Sequence, residues 1–390
     1  MSKHKNILHI TYDYSTVTTP DKTTSIRNLV KFTADKYNNV VINLNRINMP
    51  RKDILLKKEN VFIINTFGLP KGIFFRYTIA RAIKNVKILK KEYDLDFREF
   101  DLVHAHKLCF EGPIAFYIRS NFNIPFIISI RAHDFPVLRY RIDLRNFYKK
   151  ILKKAEKIFI ISPWMEKSLL KIFGQRFYEN IIKGKLCCLG SIVDVEPNVK
   201  SFQKKKSQKK LVTIFKMTKR YLKIKNIKRL FKALRILNDA GEMITLDIIG
   251  DGEVTYKVKK LIKKYRLDGK VNLLGYIDNA RLNDYLYKYN GFVMPSFPET
   301  FGLAYIEALR NGLPIVYSQG AGVDGFFTEE IGVKVNPFSV DSICSGMRRI
   351  IHFESQYKKN VINFVRKGGL QRFSKNNIIK KYCDVIDELI

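Results

Sequence analysis

The 390-residue chain has few cysteines, and their spacing is not typical of a metal site or of a disulfide framework. The five are Cys109, Cys187, Cys188, Cys344 and Cys383, an odd number with no Cys-x-x-Cys pair among them. Zinc sites and disulfide-stapled domains both require closely repeated cysteines. We therefore expect reduced, mostly buried thiols, as in a cytosolic protein.

Long hydrophobic runs are also missing. No stretch of 18 apolar residues occurs, and the apolar run near the start, Ile7 to Ile10, is far shorter than the core of a signal peptide. These absences predict a chain that neither crosses a membrane nor is exported by an evident signal. We expect a cytoplasmic protein, with peripheral attachment to the inner face of the cell membrane left open.

Acidic residues are scarce, with 36 Asp and Glu against 71 Lys and Arg and a formal net charge of +35. Between Pro197 and Asn238 there is no acidic residue, whereas residues 203–235 hold fourteen Lys or Arg. Such a charge attracts polyanions, which include nucleic acid, acidic lipid headgroups and phosphorylated small molecules. No aromatic-rich RNA motif, helix-turn-helix or zinc pattern accompanies it, so nucleic-acid binding is only an alternative and no nucleic-acid partner is expected.

Predicted strands alternate with predicted helices in two series, which is typical of parallel sheets covered on both faces. Strands are predicted at 6–13, 39–45, 101–106, 125–134 and 157–162, then at 211–217, 245–252, 271–276, 291–296 and 313–318. We divide the chain into a domain at 1–197, a basic linker at 198–210, a domain at 211–373 and a last helix at 374–390. The last helix could pack back on the first domain. In doubly wound sheets ligands bind beyond the C-terminal ends of the strands, so a site in a cleft between two facing domains is expected.

The stretch PSFPETFGLAYIEALRNGLP (295–314) places two carboxylates around the start of a predicted helix. Thr300 is a candidate N-cap, and Gly302 leaves room for a ligand near the backbone. The unpaired amides of a helix start favour an anion or an oxygen-rich ligand. From spacing alone, Glu299 could instead simply favour the helix N-terminus, and Glu307 could be a surface partner of Arg310.

The same stretch closely resembles the donor-site signature of the retaining glycosyltransferases of family 4, which have the GT-B fold of two Rossmann-like domains. That signature is a Glu-x7-Glu motif within PS-x-x-E-x-FG-x-x-x-x-EA-x-x-x-G-x-PV. The resemblance implies that Glu299 contacts the donor sugar and that Glu307 holds the nucleotide ribose. It also implies that the amides of Phe301, Gly302 and Leu303 hold the sugar hydroxyls.

A second segment, KRYLKIKNIKRLFKAL (219–234), resembles the family's RL-x-x-x-KG-x-x-x-LI-x-AL without gaps. The resemblance implies that Arg220 and Lys225 clamp the donor diphosphate. Tyr221 replaces the usual Leu, and Asn226 replaces the usual Gly. The competing interpretation, solvated lysines on a basic helix, fits neighbours such as Lys223 and Lys228 better than it fits Arg220 and Lys225.

The first domain matches the family less closely. His133, in SIRAHDF (129–135), resembles the family histidine that faces the donor sugar, although Asp134 stands where Gly is usual and Pro136 where Asp is usual. From its position at a strand end alone, His133 could instead have a structural role. His106, in LVHAH, resembles a strand-end position on the acceptor side, and a structural role for it is equally compatible with the sequence. The loop after the first strand, 14–25, has no glycine, whereas the family usually has a glycine-rich loop there.

The resemblance implies transfer of a sugar from a UDP- or GDP-linked donor to a hydroxyl of a glycan or polyprenyl-linked acceptor, with retained anomeric configuration. We predict no metal and no other cofactor, because two cations would neutralise the diphosphate and no Asp-x-Asp pair is evident where a metal would help. Capsule, exopolysaccharide or lipopolysaccharide synthesis is the expected setting. The basic amphipathic stretch 71–91 could contact an anionic membrane, or it could be an ordinary domain helix. A catalytically inactive GT-B binding protein is the other alternative.

Overall fold

The structure is a computed structural model that describes residues 4–15, 24–44, 61–65, 79–80, 83–84, 87, 95–199 and 209–390. The chain divides into two compact units. The first comprises Met1–Ile161, Met165–Ile192 and Lys375–Ile390, and the second comprises Ser162–Trp164 and Val193–Ser374. The division thus falls shortly before the boundary at 197 that the sequence suggested. Residues 200–208 of the proposed linker lie outside the described residues.

The first unit contains a parallel sheet of seven strands. These are β1 (Lys5–Thr11), β2 (Tyr37–Asn43), β3 (Val61–Asn65), β4 (Leu102–Ala105), β5 (Phe126–Ile130), β6 (Ile158–Ile160) and β7 (Leu186–Cys188). Their order is β3-β2-β1-β4-β5-β6-β7, so the winding reverses between β1 and β4. Every side chain of β4 and β5 is buried, as expected for strands covered on both faces.

Most of the helices of this unit lie in the chain segments that connect its strands. They are α1 (Ser25–Thr33), α2 (Gly112–Phe122), α3 (Asp134–Tyr140), α4 (Arg145–Lys154) and α5 (Trp164–Phe173). Helical turns also occur at Phe97–Glu99, Ile142–Leu144, Gln175–Phe177, Tyr178–Ile182 and Lys183–Lys185. The last helix of the chain, Lys375–Asp387, belongs to this unit, where Ile378 and Tyr382 lie in one apolar cluster with Ile7 and Leu102.

The second unit contains a parallel sheet of six strands. These are β8 (Lys210–Ile214), β9 (Thr245–Ile249), β10 (Val271–Leu273), β11 (Gly291–Met294), β12 (Ile315–Ser318) and β13 (Gly332–Val335), in the order β10-β9-β8-β11-β12-β13. Its helices are α6 (Lys219–Ile224), α7 (Ile227–Asp239), α8 (Thr255–Lys264), α9 (Asn279–Leu286), α10 (Leu303–Arg310), α11 (Val340–His352) and α12 (Glu354–Arg366), with a further turn at Gln371–Phe373. The prediction of two doubly wound α/β units is confirmed.

The observed strands differ from the predicted ones in two ways. The strand predicted at 125–134 ends at Ile130, because the chain then turns and Asp134 begins helix α3. The short strands β3, β7 and β13 were not predicted. In β7 all three residues are only partly buried, so no strong apolar run marks it in the sequence.

Among the described residues, none of the helices has the length and apolar character that crossing a bilayer would require. Apart from residues 79–80, 83–84 and 87, the predicted basic helix at 71–91 lies outside the described residues. Its membrane role therefore stays a prediction.

Candidate functional site

The strongest candidate site lies where the winding of the second sheet reverses. Strands β8 and β11 are neighbours there, with Gly291 opposite Leu211 and Phe292 opposite Val212. In doubly wound sheets the loops that follow two such strands diverge and leave a crevice that binds ligands. The loop after β8 leads into 219–226, and the loop after β11 is the 295–302 stretch, so two segments singled out in the sequence meet at one sheet edge.

An ion pair joins these two loops. The Nζ of Lys225 donates to the Oε2 of Glu299 at 2.6 Å, and the two side chains are only 12% and 17% exposed. The Oε1 of Glu299 also accepts the amide hydrogen of Thr300 at 3.1 Å. A pair this shielded from solvent interacts more strongly than a surface salt bridge. The structure therefore brings together Lys225 and Glu299, two residues for which the sequence predicted contacts with the donor.

Asn226 ties the same two loops through its side chain. Its Nδ2 donates to the carbonyl oxygens of Pro295 at 3.2 Å and Pro337 at 2.6 Å. Its backbone is left-handed, with φ +58°, and next to it the carbonyl of Ile224 accepts the amide hydrogen of Phe297 at 2.7 Å. Asn is, after Gly, the residue that most readily adopts this conformation. This explains why Asn can stand where the family usually has Gly.

Helix α10 begins at this edge, but not where the sequence suggested. The residue before it is Gly302, with φ +82°, so Thr300 is not its N-cap. A Cβ on Gly302 would lie 2.5 Å from the ring of Tyr305, which explains the glycine sterically as well. The Phe301 ring is buried against Phe326 and Phe373, whereas the side chain of Leu303 is 38% exposed. Phe301 and Gly302 thus form the turn into the helix that Leu303 begins, and the first amides of a helix have no acceptor within it.

Glu307, on the second half of α10, is partly buried. Burial raises the pKa of its carboxyl, and the positive charge of Arg310 offsets only part of this effect. Arg310 itself forms an ion pair with Asp194 and donates to the backbone oxygen of Asp194 at 3.1 Å. The interpretation of Glu307 as a simple surface partner of Arg310 therefore does not account for its position.

The glycine turn at 250–252 follows β9, the strand beside β8, and packs against the loop after β8. A Cβ on Gly250 would meet the carbonyl oxygen of Phe215 at 2.0 Å, and a Cβ on Gly252 would meet that of Met217 at 2.6 Å. The amide of Met217 donates to the carbonyl of Asp251 at 2.8 Å. The two glycines thus allow the backbone after β9 to lie directly against the segment leading to Arg220. Arg220 itself is exposed on α6, and its predicted contact with a diphosphate stays a prediction.

In the first unit a polar cluster lies at the corresponding reversal, after β1, β4 and β5. Lys107 is 8% exposed in its side chain and forms an ion pair with Asp13. Burial would raise the pKa of Asp13, but Lys107, Arg131 and His133 together lower it below its ordinary value. His133 is exposed at the start of α3. Asp134 is buried and accepts the amide hydrogens of Cys109 at 2.8 Å and Arg131 at 2.9 Å.

This last observation explains the departure from the family motif, because the carboxylate of Asp134 fixes the turn that carries His133. Glu111 is a further buried carboxyl of this cluster. Its Oε1 accepts the amide hydrogen of Tyr12 at 2.9 Å, and burial raises its pKa to about 8. Neither Asp13 nor Glu111 was singled out in the sequence. Their positions just after strands β1 and β4 were the only available signal.

His106 is fully buried, and so are His9 and His104. The ring of His106 lies 3.0 Å from that of His9 (Nε2 to Nδ1), and the ligand atoms of the three residues lie within 4.8 Å of one another. By donor type the trio could hold a metal ion. However, His9 also meets the Oδ1 of Asn39 at 3.0 Å, and His104 meets the hydroxyls of Tyr382 and Ser129 at 3.0 and 2.8 Å.

Burial lowers the pKa of all three histidines, that of His9 to about 4, so they are neutral at physiological pH. In this neutral form, His9 links strand β1 to β2 through Asn39, and His104 links β4 to β5 through Ser129. The assignment of His106 to the acceptor side stays a prediction.

Two doubly wound parallel sheets, each with loops at its reversal point, define a protein of the GT-B class. Family comparisons agree. A family model described as glycosyl transferases group 1 matches residues 198–367, and one described as glycosyltransferase family 4 matches residues 23–178. Between them they cover most of the chain, which therefore belongs to the family 4 glycosyltransferases.

Curated relatives are distant. The chain is 28% identical to an uncharacterized glycosyltransferase, MJ1607, of Methanocaldococcus jannaschii over 36% of each chain. It is 22% identical to the putative teichuronic acid biosynthesis glycosyltransferase TuaC of Bacillus subtilis, over 65% of this chain and 61% of TuaC. The match thus covers less than two thirds of both proteins. Protein CapJ of Staphylococcus aureus is 22% identical over 88% of this chain and 84% of its own.

Solved structures show the same fold over the full length. Sucrose-phosphate synthase from Thermosynechococcus elongatus superposes with a TM-score of 0.71 at 18% identity, covering 99% of both chains. The Anabaena protein Alr3699/HepE in complex with UDP and glucose gives a TM-score of 0.66 at 15% identity, covering 99% of this chain and 100% of its own. At these identities the likeness concerns the fold alone.

Proposed function

We propose that the protein transfers a sugar from a nucleoside-diphosphate sugar to a hydroxyl group of a glycan or polyprenyl-linked acceptor, with retention of the anomeric configuration. The Lys225–Glu299 pair beside the Gly302 turn is the observation that carries the proposal. A partly shielded carboxylate and ammonium at 2.6 Å, next to the amides of a helix start, can bind the two halves of such a donor together.

The donor diphosphate would lie against Lys225 and Arg220. During transfer the bond between the sugar's anomeric carbon and the diphosphate oxygen breaks, and a bond from that carbon to the acceptor oxygen forms. The hydroxyl proton leaves with the departing diphosphate, whose growing negative charge the two cations stabilise. We propose that these two cations take the role that a metal ion would otherwise have at the diphosphate.

The carboxylates would bind hydroxyl groups. Glu299 would accept hydrogen bonds from the donor sugar, together with the amides of Phe301, Gly302 and Leu303. Glu307, whose desolvated carboxyl lies further along the same helix, would accept the hydroxyls of the nucleotide ribose. His133, exposed beside Asp13 in the first unit, would contribute to the sugar-binding side.

The biological setting is proposed from relatives. TuaC is described as a teichuronic acid biosynthesis glycosyltransferase, and the Anabaena structure holds UDP with glucose. By analogy we propose a nucleotide-linked sugar as donor and a cell-surface polysaccharide as product. Both nucleotides, UDP and GDP, remain candidates for the donor.

Thermal shift with a panel of UDP- and GDP-sugars, followed by single-turnover sugar release, tests the proposal. A ligand at a hundred times its dissociation constant adds about 2.7 kcal/mol of stability, which a melting curve resolves. We expect stabilisation by one nucleotide class and sugar release that Glu299→Ala abolishes but Glu330→Ala, at an exposed site of the same unit, retains. Binding without release would identify an inactive GT-B protein, and no binding would refute the proposal.

A further inference from the structure

A basic groove lies between the start of α7 and the side of α8 in the second unit. Its volume is about 580 Å³. It is lined by Lys219, Leu222, Lys223, Asn226, Lys228, Arg229, Lys257, Lys260, Leu261 and Lys264. Neither Lys225 nor Glu299 is among the lining residues, although Asn226, which follows Lys225 in the chain, contributes to the rim.

The lining of this basic groove carries charge of one sign only. Seven of its ten residues are Lys or Arg, and none is Asp or Glu. Within the described part of the chain, no ion pair joins any of these seven cations to a carboxylate. Seven mutually repelling charges around one concavity raise its positive potential, and concave walls of low polarity focus that potential further.

The backbone adds to the same field. Helix α7 has 13 residues, and its N-terminus, which bears partial positive charge, opens toward the groove at Asn226. Helix starts normally favour acidic side chains, yet the first turn of α7 has none and carries Lys228 and Arg229 instead. This arrangement is unfavourable on its own, and a bound anion would relieve it.

The groove also has apolar surface. Leu222 and Leu261 lie partly buried between the cations and contact the apolar core of the unit. Outside the lining itself, the ring centre of Tyr256 lies 5.7 and 5.9 Å from the ammonium groups of the lining residues Lys257 and Lys260. A groove of this size fits a headgroup-sized ligand, whereas a nucleic-acid duplex needs an extended positive surface.

We propose that this basic groove binds a ligand bearing several negative phosphate charges, at a position separate from the donor site. A phospholipid headgroup and a soluble polyphosphate share the required chemistry. The proposal concerns a second site and does not depend on the transfer reaction, since no residue assigned to transfer lines the groove.

Two charge-reversal variants on one helix test this. Lys260→Glu with Lys264→Glu changes two lining residues one turn apart on α8. Lys259→Glu with Lys263→Glu makes the same change in net charge on the exposed surface of the same helix, outside the groove. Both pairs place Glu in the same turns, so their effects on the helix should match.

Inorganic tripolyphosphate is the soluble probe, measured by calorimetry, and vesicles of phosphatidylglycerol in phosphatidylcholine are the membrane probe. We expect the groove variant to lose about tenfold or more in tripolyphosphate affinity relative to the control variant. If the groove variant also binds vesicles more weakly than the control variant, the ligand is a lipid headgroup. If only its affinity for tripolyphosphate is lower, the ligand is a soluble phosphate. Equal loss in both variants would overturn the proposal, as would a wild type that binds neither probe.

Discussion

The cations of residues 219–229 are used in two different ways. Lys225, together with Asn226, turns inward, where an ion pair and two hydrogen bonds join this segment to residues 295–299 and to Pro337. Lys223, Lys228 and Arg229 instead line the basic groove, and no carboxylate is among the residues that line it. In this run of positive charge, Lys225 is thus held in an ion pair, whereas the other cations mainly raise the positive electrostatic potential of the groove.

The largest effect should come from breaking the inward pair. Glu299→Ala should lower the rate of sugar transfer about a hundredfold or more, because it removes the carboxylate proposed to hold the donor sugar and frees Lys225 from its partner. Single-turnover kinetics measure this, with circular dichroism as the check that the fold persists. Near-normal turnover in a folded variant would rule out the assignment of Glu299.

A double-mutant cycle sharpens the same point. Lys225→Met and Glu299→Gln, singly and combined, report the coupling between the two side chains in unfolding experiments. Because the pair is mostly shielded from solvent, we expect a coupling above the roughly 0.2–1 kcal/mol typical of exposed ion pairs. Additive effects would show that the contact contributes no more than a surface salt bridge.

Asn226 should matter for stability. Asn226→Ala should lower the free energy of unfolding by about 2–3 kcal/mol, since it removes two buried hydrogen bonds and places Ala at φ +58°. Asn226→Gly keeps the backbone conformation and should cost about 1 kcal/mol less. Chemical denaturation distinguishes the two, and equal losses would mean that the left-handed conformation carries no strain for Ala.

Replacing Glu307 should have smaller effects: it should stabilise the fold at neutral pH but weaken nucleotide binding. Burial raises its pKa, so the unfolded chain ionises first and stability falls as the pH rises from the unfolded pKa through the folded one. Glu307→Gln should therefore be more stable than the wild type at neutral pH, with no difference at acidic pH below both values. Its affinity for the nucleoside diphosphate should fall about tenfold.

Thermal unfolding across pH and calorimetry with UDP and GDP check both halves of this prediction. A variant that is no more stable at neutral pH would show that the carboxyl is not desolvated. A variant with unchanged nucleotide affinity would remove Glu307 from the ribose contact.

Much of the inward arrangement could be predicted from the sequence, because it rests on residue types at fixed spacing. The two doubly wound units followed from alternating apolar runs, and the juxtaposition of residues 219–226 with 295–302 follows from the topology of such sheets. The role of Asn226 could have been found as well. It stands where the family has Gly, and a position that accepts only Gly or Asn usually has positive φ.

Other features depend on tertiary contacts that spacing does not encode. Thr300 looked like an N-cap, but the positive φ of Gly302 starts α10 later. The close approach of Gly250 to Phe215 and the burial of Glu111 involve partners distant in sequence. The basic groove combines side chains from α6, α7 and α8, so the composition predicts its charge but not its concave shape.

Calorimetric titration of UDP and GDP into the wild type and into Lys225→Met tests the central claim most directly, with Lys259→Met as the matched control on an exposed surface. The account predicts that one nucleotide binds the wild type, that the control retains this affinity, and that Lys225→Met loses about tenfold or more. Equal affinity in all three proteins, or no binding of either nucleotide, would contradict the assignment of the inward pair to the donor diphosphate.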